Sequence, residues 1–212
     1  MPAIPDAELY DPFLFCPWKA AAFRTLYDRI APYTLVSPDR CWMLWSLARQ
    51  AAGQHGNFVE VGVYRGGTAM LLREALGKNQ TLHLFDTFAG MPETNPVHDL
   101  HKAGDFADTS LESVRGRMGT AGVTYHVGQI PDTFAGLENQ RFAFAHVDVD
   151  IWRSVLDCCE FIYPRLSGFM VFDDYGFPSC PGARAAVDTF FTNRPEIPLI
   201  LPTGQAVVFK AD

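Results

Sequence analysis

From Phe58 onward, short apolar runs alternate with stretches of helical period, and this alternation restricts the fold more than any other feature of the chain. The runs 58–63 (FVEVGV), 81–86 (TLHLFD), 122–127 (GVTYHV), 142–149 (FAFAHVDV) and 168–172 (GFMVF) are short and rich in β-formers, as strands inside a parallel sheet are. Between the first two, Met70, Leu71, Leu72 and Leu76 form an apolar helical face after a Gly-Gly pair. Between the last two, Val155, Cys159, Ile162 and Leu166 recur at three- and four-residue spacing, and Pro164 marks the helix end. A helix over 181–193 opens on Pro181, and 197–201 with 206–209 around a Pro-Thr-Gly turn predict a closing β-hairpin. Together these predict a mixed α/β sandwich, with helices on both faces of a mainly parallel seven-stranded sheet and an antiparallel C-terminal hairpin.

Residues 1–56 read as an N-terminal helical segment, and 57–212 as the main unit of one compact domain. In SPDRCWMLWSLARQAAG, Ser37 is the predicted cap, Pro38 the first helical residue and Gly53 the end. The aromatic residues Tyr10, Phe13, Phe15, Trp18, Phe23 and Tyr27 fit core packing, an acceptor pocket or a dimer surface. The polar stretch 88–117 is longer than ordinary connections and reads as a lid or a disordered loop.

A net charge of −7 would repel a phosphate backbone, which argues against nucleic acid as a main partner. No stretch approaches the roughly eighteen apolar residues a membrane span needs, and the start MPAIPDAELYDPF is acidic and proline-broken, so a cytoplasmic chain without membrane contact is expected. The five cysteines lack metal-binding spacing and read as free thiols. Cys158 and Cys159 are expected to pack as small hydrophobes.

Three features carry chemistry. EVGVYRGG (Glu60, Gly62, Gly66, Gly67) falls at a strand-to-helix junction, where glycine admits a ligand to the backbone and the helix start offers N–H groups. Tyr64 stands where a dinucleotide fingerprint needs glycine, which argues against a pyrophosphate cofactor. Asp86 ends the next strand, where its carboxylate either accepts ribose hydroxyls or caps the following turn. A ribose-bearing cofactor without pyrophosphate matches S-adenosylmethionine. The third feature is acidic: HVDVD (Asp148, Asp150) and FDDYG (Asp173, Asp174) end two strands expected on the same rim. Such crowding requires protonation of some carboxylates or a hard cation, namely Mg²⁺, Mn²⁺ or Ca²⁺, with one of the four free to cap a helix or turn. His146 reads as a buried structural histidine, and His98 and His101 as solvated loop residues outside the site.

The segments FVEVGVYRGGTAMLL, LFDTFAGMPE, HVDVDIWRSVLDCCEFIYPRL and FDDYGFPSCPGARAAVDTFF, with YTLVSPDR upstream, closely resemble the macrocin O-methyltransferase family of class I S-adenosylmethionine-dependent enzymes. The resemblance covers most of residues 33–193 and implies the Rossmann-like class I methyltransferase sandwich. It implies that Glu60, Gly62 and Gly66 line the methionine side of the cofactor, Asp86 holds its ribose and Gln129 lies near the adenine. It further implies metal ligands Asp148, Asp173 and Asp174, with Asp150 as general base and Tyr33, Thr34 and Ser37 closing over the cofactor. Trp152 replaces the usual tyrosine after D-x-D, and the turn before the last metal strand is short.

The expected function is therefore an S-adenosylmethionine-dependent O-methyltransferase using Mg²⁺ or Mn²⁺ on a hydroxyl of a small molecule, a sugar or other secondary metabolite, in a homodimer. A metal-dependent hydrolase and a non-catalytic binding subunit are the alternatives.

Overall fold

The computed structural model describes residues 15–211. Helices α1 (Ala21–Ile30) and α2 (Pro38–Ala51) lead into β1 (Asn57–Val61), α3 (Gly67–Ala75) and β2 (Leu82–Asp86). After α4 (Leu111–Met118) come β3 (Val123–Val127), β4 (Phe142–Val147), α5 (Trp152–Ile162), β5 (Leu166–Phe172), α6 (Pro181–Phe191) and the hairpin β6 (Leu199–Ile200) and β7 (Ala206–Lys210).

The strands form one sheet in the order β3-β2-β1-β4-β5-β7-β6. Every pairing from β3 to β5 is parallel, and β7 is antiparallel to both β5 and β6. This is the fold expected of the sequence. Successive residues of a strand face opposite layers: Phe58 packs with α1–α3, whereas Val59 packs with α5 and α6. In β4 the alternation is broken: Phe142 packs on the α5–α6 side and Phe144 on the other, because the register slips between them. Phe144 thereby meets the Phe58 ring at 5.3 Å. Cys158 and Cys159 are fully buried in the α5–α6 core, as small hydrophobes.

Four local readings need correction. β1 stops at Val61 and β4 at Val147, because Gly62 takes a left-handed φ of +87° and the acids after Val147 belong to the turn into α5. The stretch 88–117 contains much of α4 and is not all loop; Ser110 caps that helix by accepting the Ser113 N–H at 3.2 Å. Helix α1, not delimited from the sequence, buries Phe23 and Ile30 against α2 and α3. Ser37 stands at the N-cap of α2, but its hydroxyl accepts Arg40 Nε at 3.2 Å and makes no cap bond. Tyr10 and Phe13 lie outside the described residues.

The chain leaves β1 toward β2 on one side and enters β4 on the other, so the crevice between β1 and β4 is the topological switch point. The carboxyl ends of β1, β2, β4 and β5 meet there.

Candidate active site

The glycine loop is shaped by close approach. A Cβ on Gly62 would overlap the Asp148 carbonyl, and one on Gly67 would lie 2.7–2.8 Å from Tyr33 and Thr34. Tyr64 also takes a left-handed φ, +51°, which turns its N–H and that of Val63 toward Asp86. Asp86 Oδ2 accepts both, at 2.8 and 2.7 Å, and Oδ1 accepts the Phe88 N–H at 2.6 Å. Asp86 thus caps the following turn and also lines the crevice. Three of the roughly four acceptor positions of its carboxylate are in use, so taking two ribose hydroxyls requires one N–H to yield.

Across the switch point, the Asp148 N–H continues the ladder to Val61 O at 2.9 Å and the Asp173 N–H to Val147 O at 3.0 Å. Both acids are therefore fixed by backbone at adjacent strand ends. Asp150 adopts φ +58°, and its N–H donates to Asp174 Oδ2 at 2.9 Å. Asp173 is fully buried and pairs with Arg40 of α2, accepts Gln205 Nε2 at 2.8 Å, and lies 3.6 Å from His146 Nε2. His146 Nδ1 is 2.9 Å from Glu60 Oε1, and both side chains are fully buried.

The charges of this rim are unequal. Burial alone would lower the His146 pKa, but Asp173 and Glu60 outweigh it and push it up to about 10, so the ring is a cation at neutral pH. Burial would raise Asp173, yet His146, Arg40 and Gln205 hold it below the usual carboxylate range. For Asp148 and Asp174 burial and the neighbouring carboxylates prevail and push both well above that range, although His146 and Arg40 pull Asp148 down and the Asp150 N–H pulls Asp174 down. Asp150 is raised by burial, partly offset by the Cys180 thiol and His101. Oxygens of Asp148 and Asp173 lie within 4.8 Å of each other and of a His146 nitrogen. The imidazolium is no ligand, and Asp174 faces the Asp150 N–H instead.

One cavity brings together Gly62, Asp86, Gln129, Asp148, Asp150, Asp173 and Asp174, walled by Tyr33, Thr34 and the segment around Met91. Glu60 and Gly66 do not line it: Glu60 sits behind the wall on His146, and Gly66 is the left-handed residue preceding α3. Of the lining residues that escaped the sequence reading, three touch the acids of the rim. Arg40 falls on the buried stripe of α2 with Cys41, Leu44 and Ala48, and a charge on such a stripe signals a buried partner. His101, read as a solvated loop residue, turns inward toward Asp150, and Cys180 donates its thiol to Asp150 Oδ1 at 3.3 Å.

Residues 27–201 match the sequence model of the family described as Macrocin-O-methyltransferase (TylF). The chain belongs to this macrocin O-methyltransferase family. It is 32% identical over 151 residues to an 8-demethyl-8-(2,3-dimethoxy-alpha-L-rhamnosyl)-tetracenomycin-C 4'-O-methyltransferase of Streptomyces olivaceus, covering 63% of this chain and 58% of that protein. The chain thus spans under two thirds of the length of the curated relatives it matches. In fold it is similar to the O-methyltransferase NovP, with a TM-score of 0.76 and 23% identity over 85% of this chain and 83% of NovP. It is also similar to TomG, an O-methyltransferase of Streptomyces achromogenes solved with S-adenosylmethionine, with a TM-score of 0.59 and 16% identity over 88% of this chain and 90% of TomG. These neighbours establish the class I methyltransferase fold for this member of the macrocin O-methyltransferase family.

Proposed function

We propose that the chain is an S-adenosylmethionine-dependent O-methyltransferase that acts, with a divalent cation, on a hydroxyl of a small glycosylated natural product. The observation that carries this reading is the meeting of the Gly62 loop, Asp86 and four carboxylates in one cavity at the switch point of a class I methyltransferase sheet. The family and its sugar-modifying relatives support the acceptor class. Asp86 would hold the ribose, Gln129 the adenine side, and the Gly62 loop, with Glu60 and Gly66 supporting it, the methionine end.

The donor set fits a hard cation: burial and the neighbouring carboxylates hold the Asp148 and Asp174 side chains above the usual carboxylate range, and a cation would relieve the repulsion among them. Asp148, Asp173 and Asp174 would hold it, as Mg²⁺ or Mn²⁺. When bound, the cofactor supplies an activated methyl group and the cation lowers the pKa of the acceptor hydroxyl. Asp150 takes the hydroxyl proton; its Oδ1 already accepts the Cys180 thiol, so Oδ2 is the receiving atom. Arg40 keeps Asp173 ionised and aimed, and Tyr33, Thr34 and the Met91 segment shield the crevice from water.

Incubation with S-adenosylmethionine, Mg²⁺ and a panel of deoxysugar glycosides, followed by mass spectrometry, should reveal the mass gain of one methyl group, abolished by EDTA and restored by added Mg²⁺. Full turnover in chelator refutes the role of the cation. Saturable calorimetric binding of S-adenosylmethionine distinguishes this function from hydrolysis.

A further inference from the structure

Beside the carboxylate rim, the same cavity holds three side chains of mixed chemistry: His101 from the segment after β2, Asp150 before α5, and Cys180 before α6. Cys180 Sγ is 3.3 Å from Asp150 Oδ1 and 3.7 Å from His101 Nε2, and His101 Nε2 is 3.8 Å from Asp150 Oδ1. Around a tetrahedral zinc ion, bonds of about 2.3 Å to sulfur and about 2.0–2.1 Å to nitrogen and oxygen set the ligand atoms roughly 3.3–3.6 Å apart. All three separations come within about 0.5 Å of those edges, so an ion fits with shifts of a few tenths of an ångström.

The far nitrogen of the ring supplies a second, independent observation. His101 Nδ1 is 3.1 Å from Asp105 Oδ2, and that oxygen is itself fixed by the Lys102 N–H at 3.0 Å. A carboxylate on the opposite nitrogen is the arrangement that fixes the tautomer of a zinc-binding histidine and points its other lone pair at the metal. His101 therefore presents Nε2 to the thiol and the carboxylate. The nitrogen, sulfur and oxygen donors select a softer ion than the all-oxygen rim does.

We propose that His101, Asp150 and Cys180 form a zinc site, distinct in its donors from the carboxylate rim, with a fourth coordination position open to the cavity. Binding exchanges the Cys180 S–H bond for an S–Zn bond and releases the proton to solvent. A zinc ion on Oδ1 also draws charge from the Asp150 carboxylate and makes Oδ2 a weaker proton acceptor, so zinc inhibits the methyltransferase. That consequence rests on the function proposed above; the site itself does not.

The test uses the full, untagged, metal-free chain titrated with Co²⁺, whose thiolate charge-transfer and tetrahedral d–d bands report the donors. The expected result is a charge-transfer band that saturates at a single equivalent and is displaced by Zn²⁺. Cys180→Ser should abolish it, His101→Ala should weaken binding at least tenfold, and Cys16→Ser and Asp148→Asn should leave it unchanged. The absence of a thiolate band in the parent chain, or its persistence in Cys180→Ser, overturns the site. If Cys180→Ser does not fold, His101→Ala on the connecting segment carries the test: unchanged cobalt affinity there overturns the site equally. The readout needs no methyl transfer, so a chain inactive on every acceptor but showing the band loses the proposed function and keeps the zinc site. Full turnover at saturating zinc overturns the inhibition and the role of Asp150.

Discussion

Replacing Arg40 with alanine removes the cationic partner of a fully buried carboxylate. Arg40 is 9% exposed and Asp173 0%, so neither charge has water to fall back on. Removing one partner of a buried pair costs about 3–5 kcal/mol, against about 0–1 kcal/mol for an exposed pair. For a chain of 212 residues, that loss lowers Tm by roughly 6–20 °C. Arg40 also bonds Ser37 and Leu35 O and stacks on Phe177 at 4.6 Å, so alanine loses more than the charge. A cycle with Asp173→Asn, followed by urea unfolding, isolates the pair: the double variant should be more stable than additivity predicts by about 2 kcal/mol or more. Saturating Mg²⁺ should restore more stability to Arg40→Ala than to the parent, because a ligand at one hundred times its Kd contributes about 2.7 kcal/mol and Arg40 no longer competes with the cation for Asp173. A cost of Arg40→Ala under about 1 kcal/mol, the value for solvated pairs, would refute the reasoning.

Asp86→Asn replaces an acceptor with a group that also donates, and its N–H₂ opposes the Val63 and Tyr64 amides; S-adenosylmethionine affinity measured by calorimetry should fall about 10–100-fold, as loss of hydrogen bonds to a charged group implies, and unchanged affinity removes Asp86 from the cofactor site. His146, Asp148 and Asp174 all have folded-state pKa values above their ordinary ones, so the folded state holds the extra protons and stability is lost as pH rises. The His146 contribution is complete below about 6.5 and disappears as pH passes 10. Asp173, depressed below its ordinary value, acts oppositely only in acid. Urea midpoints of the metal-free chain should therefore fall from pH 6.5 to 9, and a flat or rising profile contradicts these assignments. The gain in Tm from Mg²⁺ should grow over the same interval, since protons compete with the cation for Asp148 and Asp174.

The central strands were legible because parallel burial makes them continuously apolar, as in FAFAHV, and α3, α5 and α6 because each repeats an apolar face over several turns. Helix α4 was not legible: LESVRGRM buries only Val114 and Met118, a single i,i+4 pair among charges. The acids and glycines of the rim stood out because they end strands. Their partners did not: Arg40 reaches Asp173 across 133 residues, and His101 reaches Cys180 across 79, distances over which no periodicity carries information. His101 in particular reads as polar loop composition, and only the Asp105 carboxylate and the inward turn of 101–106 give it a role.

The most direct test of the account is a crystal of the chain grown with S-adenosylhomocysteine and Mn²⁺, with anomalous scattering recorded at the manganese edge. The account predicts a peak held by Asp148, Asp173 and Asp174, with the nucleoside ribose on Asp86. A peak away from those carboxylates, no peak at saturating Mn²⁺, or a nucleoside outside the Gly62 crevice would contradict it.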